Sequence, residues 1–109
     1  MATFELKKND MGQFHFNLLD ENDKTILRSE QYTSKASAQN GIESVRNNCD
    51  QDNRYELKDS VSGKFYFNLK AANGQVIGTS SMYASAEVRA EALAEVKTQA
   101  KHAGVIEDL

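Results

Sequence analysis

Only one cysteine, Cys49, and two histidines, His15 and His102, occur in this 109-residue chain. A single thiol cannot close an intrachain disulfide, so the fold has no covalent staple and nothing ties it to an oxidising compartment. The histidines have no partner histidine or cysteine at metal-ligand spacing, and neither has an organised neighbour of the kind a general base needs. No apolar run approaches the roughly eighteen residues needed to span a bilayer, and the opening MATFELKKND lacks a stretch of signal-peptide length. A cytoplasmic location is therefore expected. Long blocks of like charge are absent too: sixteen acids and thirteen bases are interspersed, for a net charge of -3. Such a surface has no electrostatic reason to seek a polyanion or an acidic membrane. Neither a Gly-rich phosphate loop nor a Gly-x-Ser-x-Gly elbow is present, and no cofactor is expected.

What is present is ordinary globular composition, 39% hydrophobic and 27% charged. A chain of this length buries about 65% of the surface its unfolded form exposes, enough for one two-layer core. The phrase GQFHFNLLDEN at Gly12 returns as GKFYFNLKAAN at Gly63, an offset of 51 residues. Glu5-Leu6-Lys7 meets Glu56-Leu57-Lys58 at the same offset, and Ile26, Ser29, Tyr32 and Ser34 meet Ile77, Ser80, Tyr83 and Ser85. The chain is a duplicated unit, and two copies predict a closed pseudo-twofold pair in place of an open array.

Within a unit, Phe4, Leu6, Phe14, Phe16 and Leu18 alternate with Glu5, Lys7, His15 and Asn17, the period of a half-buried strand. Phe65, Phe67 and Leu69 repeat it. Asn73-Gly74 predicts a type I′ hairpin turn, with Asn22-Asp23 a weaker version in the first copy. Each unit thus opens with three short antiparallel strands. Ser34 then caps a helix carrying Ala38, Ile42, Val45 and Cys49, and Ser85 caps another carrying the stem of Arg89, Leu93, Val96 and Ala100. Gly41, costly inside a helix, predicts a close approach of the first helix to its sheet. Gly104 is the expected stop of the second helix, before a short edge strand near 105–108.

A unit of about fifty residues is marginal alone and leaves unpaired sheet edges, and joining two units relieves both problems. The expectation is an α+β fold with two tandem βββα repeats, 4–49 and 55–104. They form one domain with a single antiparallel sheet and both helices on its aromatic face.

The patterns Gly12-x-Phe14-x-Phe16-x-Leu18, Ser29-Glu30-x-Tyr32-x-Ser34 and Gly41-Ile42-x-Ser44-Val45, with Asn73-Gly74-x-x-Ile77, closely resemble the YegP-like family. These are uncharacterised bacterial proteins built from tandem copies of a roughly fifty-residue domain. The resemblance covers nearly the whole chain and implies three strands, a helix and an exchanged strand per copy. It implies no activity. The second copy departs from the pattern at Ser81, Ala92 and Ala94, where the family has Glu, Gly and a polar residue. A site built on those places would be kept in one half only.

Cys49 lies on an apolar stripe among Asn47, Asn48, Asp50 and Asp52, a setting for a core filler and not for a thiolate nucleophile. Asp20-Glu21-Asn22-Asp23 fails as a calcium loop: Lys24, Thr25 and Gln31 fall where a ligand, the turning Gly and a bidentate Glu belong. Lys64-Phe65-Tyr66-Phe67 resembles a base-stacking strand, but alternation turns both Phe residues to the helix face, which argues against nucleic-acid binding. Glu87, Glu91 and Glu95 form an acidic helix side, a solvated face or a docking surface for a basic partner.

What remains is the uncovered sheet face: Glu5, Lys7, His15 and Asn17 with Glu56, Lys58, Tyr66, Asn68 and Lys70. The candidate ligand or partner surface is Lys7, His15, Asn17, Lys58, Tyr66 and Asn68. The expected function is a monomeric, non-catalytic module that binds a protein or a small ligand there. A nucleic-acid binder, or an enzyme without a recognisable motif, is the alternative.

Overall fold

The strand alternation is realised directly. In the computed structural model, which describes residues 1–109, Phe4, Leu6, Phe16, Leu18, Phe67 and Leu69 are fully buried while Glu5, Lys7 and His15 between them stay accessible. The first half comprises β1 (Thr3–Lys8), β2 (Phe14–Leu19), β3 (Thr25–Arg28) and α1 (Lys35–Asn48). The second comprises β4 (Tyr55–Asp59), β5 (Phe65–Lys70), β6 (Val76–Ser80) and α2 (Ala86–Gln99), followed by β7 (Gly104–Asp108). All seven strands form one sheet in the order β4-β5-β6-β3-β2-β1-β7. The halves meet at the antiparallel β3–β6 seam, where Leu27 pairs with Ser80 and Arg28 with Thr79.

The expected single antiparallel sheet is corrected at one edge. The six strands of the two repeats are antiparallel, but β7 lies parallel to β1, with Thr3 opposite Gly104, so the sheet is mixed. The course of the chain across the helix face sets that direction, and side-chain alternation carries no trace of it. Strand β7 also makes the halves unequal. Leu6, with β7 alongside, is fully buried, whereas its repeat counterpart Leu57 on the open edge strand β4 is 58% exposed.

Ser34 and Ser85 cap the helices, each hydroxyl accepting from the backbone N–H three residues on, at 3.1 and 3.2 Å. Ala38, Ile42 and Val45 of α1 and Ala92 and Val96 of α2 join the strand residues in one core of 18 buried side chains. A Cβ on Gly41 would lie 2.9 Å from Phe16 Cε2 and 2.6 Å from Tyr32 Oη, which measures how closely α1 approaches the sheet. Cys49 caps α1 as a fully buried residue, and Tyr55 donates to its carbonyl at 2.5 Å.

Two local expectations are corrected. Helix α2 stops at Gln99, not at Gly104; a 3-10 turn over Ala100–His102 follows, and Gly104 opens β7. The Asn73-Gly74 turn is not type I′, because only Gly74 takes a positive φ, of 86°. Gly74 donates to Ala71 O and Ala71 to Gln75 O, both at 2.9 Å, which makes a three-residue loop whose last residue is left-handed. In the first copy Asp23 fills Gly74's place at φ 64°.

Candidate functional site

Opposite the helices, the register lines up one row of side chains across six strands: Glu56, Asn68, Thr79, Arg28, Asn17 and Glu5. The pseudo-twofold passes between Thr79 and Arg28, which occupy equivalent places in the two copies. Toward each side the row repeats itself. Asn68 Nδ2 donates to Glu56 at 3.3 Å, and Asn17 Nδ2 donates to Glu5 at 3.4 Å. At the centre the two sides differ. Thr79 Oγ1 donates to Asn68 Oδ1 at 2.8 Å, but no donor reaches Asn17 Oδ1, although Asn17 is only 7% exposed.

A groove of about 420 Å³ runs along the seam between Thr25, Arg28 and Glu30 on one side and Thr79, Ser81 and Met82 on the other. Ser29 and Ser80 form part of its wall, and each closes a strand end. Their hydroxyls accept from Phe16 N and Phe67 N at 2.9 Å and donate to the next carbonyl, so both are spent on backbone. Of the four arginines, three are engaged. Arg46 bonds Glu43 and Ala103 O, Arg54 bonds Asn48, and Arg89 bonds Asp59 and Lys58 O. Arg28 has no hydrogen-bond or ion-pair partner.

The six side chains expected to make the site fall into two clusters. Lys7 pairs across strands with His15, beside Asn17, and Lys58 pairs with Tyr66, beside Asn68. His15 and Tyr66 lie off the row, on β2 and β5, and none of the six side chains lines the groove. Lys7 is held by Asp108 of β7 at 3.2 Å. Burial, then the positive charges of Arg28 and Lys7, push the His15 imidazole below its ordinary value, and its Nδ1 has no partner. Lys70 and Asn68 bond Glu56 and hold its carboxyl below the usual range.

Arg28 and Thr79, at the centre, are absent from the sequence-derived surface. The reason is a β-bulge: the register of β2 on β3 shifts between Leu18 and Leu19, and that of β5 on β6 between Leu69 and Lys70. Ile26 and Leu27 are therefore both buried in succession, and alternation no longer says which face Arg28 takes. The 51-residue offset does equate Arg28 with Thr79, and that is the one signal that could have drawn attention to them.

The architecture defines a tandem-repeat α+β protein whose two halves share one sheet and one core. Residues 9–56 and 60–107 each match the family described as "Domain of unknown function (DUF1508)", at the same 51-residue spacing. The chain is 58% identical over 94 residues to the UPF0339 protein YegP of Shigella flexneri, covering 86% of each. It is 50% identical over 108 residues to a UPF0339 protein of Pseudomonas aeruginosa, covering 98% of this chain and 97% of that one. The solution NMR structure of the E. coli protein of unknown function yegP superposes with a TM-score of 0.92 at 51% identity, over 98% of this chain and 92% of that one. A UPF0339 protein of Shewanella oneidensis, also solved by NMR, gives 0.92 at 42% identity, over 97% and 90%. The chain belongs to the YegP/UPF0339 family and carries two DUF1508 repeats. These relatives are themselves described as uncharacterised, and no activity is named for them.

Proposed function

We propose that this chain is a non-catalytic, monomeric binding module of the cytoplasm, its repeats 4–49 and 55–104 acting as one domain. It takes a small polar ligand on the open sheet face, over the seam between the repeats. The observation that carries this is Arg28, the one uncommitted guanidinium, standing in a groove of about 420 Å³ that has a single apolar lining residue, Met82. Pockets for small molecules span roughly 300–1,000 Å³, and a few convergent polar groups give them their orientation and selectivity. Lys7, His15, Asn17, Lys58, Tyr66 and Asn68 lie outside the groove's lining, and in this reading they form the polar surface around its mouth.

Amide chemical-shift mapping tests the proposal, with small-molecule cell fractions, metabolites and oligonucleotides added in turn. Shifts concentrated at Arg28, Thr79, Asn17 and Asn68 are expected. Shifts confined to the acidic side of α2, at Glu87 and Glu91, would place the interaction on the helices and end the sheet-face account. Oligonucleotide binding with a steep salt dependence would favour the nucleic-acid class instead.

A further inference from the structure

The two halves act as each other's control. In the second half the row closes internally, because the Thr79 hydroxyl supplies the donor that Asn68 Oδ1 needs. In the first half Arg28 stands where Thr79 stands, and two requirements stay open: a buried amide oxygen without a donor and a guanidinium without an anion. The next pair of equivalent positions breaks symmetry in the same sense. Glu30 lies at the groove, but its counterpart is Ser81, so a second carboxylate that would compete for Arg28 is missing, and no ion pair joins Glu30 to Arg28. Two lysines of the open face are committed, Lys7 to Asp108 and Lys70 to Glu56.

We propose that the Asn17–Arg28 pair, and not the equivalent Asn68–Thr79 pair, is the ligand-binding point of the groove. The ligand it fits is a small carboxylate or phosphate monoester bearing a hydroxyl or amide donor next to the anionic group. This deepens the open-face function proposed above and rests on it. The guanidinium fork matches two oxygens of a carboxylate or phosphate, a geometry that an ammonium cannot reproduce. Asn17 pairs with Arg28 across β2 and β3 just outside the groove's lining, where the adjacent donor supplies what its buried Oδ1 lacks, and the groove's polar lining and modest volume select a small, hydrophilic molecule. A single free guanidinium with Glu30 nearby suits one anionic group and disfavours a polyanion.

The test uses NMR titration of the full chain with four probes: acetate and methyl phosphate, which carry only the anion, and glycolate and glycerol 3-phosphate, which add the hydroxyl. Saturable shifts at the Arg28 Nε–H and the Asn17 side-chain amide are expected. Each hydroxylated probe should bind about fivefold tighter than its control, the worth of one added hydrogen bond. The carboxylate and phosphate arms separate the two sources of the anion. Arg28→Thr gives the first half the residue that already closes the second, so the variant folds; it should weaken binding by at least about tenfold, the loss of a charge-assisted pair. Binding unchanged by Arg28→Thr would overturn the assignment. So would a through-bond coupling between Arg28 and Asn17 in the ligand-free protein, which would show the chain satisfying itself. If neutral metabolites shift the seam and none of the four anions does, the anion assignment fails and the open-face function stands. If nothing shifts the face, both fail.

Discussion

Gly78 is where the pseudo-twofold meets the core, and its replacement by alanine has a calculable outcome. Its repeat counterpart is Leu27, which is fully buried at the seam. A Cβ built on Gly78 would fall 2.8 Å from both Cγ and Cδ2 of Leu27 and 3.1 Å from Cδ1. Two leucines cannot occupy equivalent places beside the axis, so one half supplies the side chain and the other makes room. Leu27 is enclosed and cannot swing aside, so Gly78→Ala should destabilise by about 1–3 kcal/mol through overpacking. Leu27→Ala alone should cost about 2–5 kcal/mol through the lost contacts and the cavity left behind. With Leu27 shortened, the obstruction disappears, and Gly78→Ala should then stabilise by about 0.5–1 kcal/mol, the ordinary gain from alanine over glycine in a strand. The sign of one substitution thus reverses with its partner, a coupling that a double-mutant cycle by urea denaturation measures from midpoints at constant slope. Equal effects of Gly78→Ala in both backgrounds would refute the reasoning, because the seam would then not be a shared packing site.

Other outcomes follow from the same geometry. Gly41→Ala should destabilise by about 1–3 kcal/mol despite alanine's better helix propensity, because its Cβ meets Phe16 and Tyr32 at 2.9 and 2.6 Å; thermal unfolding reads this directly. Asp23→Gly should stabilise by up to about 1 kcal/mol, since Asp23 holds φ 64° where the second copy has Gly74; denaturation midpoints check it. Burial, then Asp20 and Glu21, raise the Glu95 carboxyl above its ordinary value. Its ionisation therefore opposes folding, and stability is lost as pH rises through the carboxylate range. Glu95→Gln should raise the melting temperature near pH 7 and make no difference in acid. Glu56 has the opposite sign. Its pKa is depressed by Lys70 and Asn68, so its contribution is present above the ordinary glutamate range and is lost as pH falls, and Glu56→Gln should flatten that acid limb.

Much of the fold is legible in particular residues. Phe14, Phe16 and Leu18 announce a strand and its buried face, Ser34 and Ser85 announce two helix starts, and the 51-residue offset announces the pairing of halves. Local chemistry decides each of these, and local chemistry is what a sequence displays. The direction of β7 and the exposure of Leu57 depend on which strand ends up beside which, information held in the course of the chain and not in any short stretch. The turn after Lys70 shows the limit even locally: Asn-Gly suits two hairpin geometries, and loop length decides between them.

The candidate site was half visible. Asn17 and Asn68 were legible as repeated polar residues on the open face, but the groove between them is made by two strands that touch only because the repeats pair. The bulge hides the face of Arg28; Ser81 in place of a Glu is visible in the sequence as a departure between the copies, whereas Thr79 in place of Arg28 interrupts no motif. Those differences, Arg28 against Thr79 and Glu30 against Ser81, carry the binding proposal, while Leu27 against Gly78 shapes the core beneath it.

The most direct test compares amide shift maps of the wild-type chain and the Arg28→Thr variant in the small-molecule fraction of a cell extract. The account predicts wild-type shifts in β3 and β6 around Arg28 and Thr79, reaching Asn17, that vanish in the variant while the rest of the spectrum is preserved. Identical maps for the two proteins, or shifts gathered on α1 and α2, would contradict it.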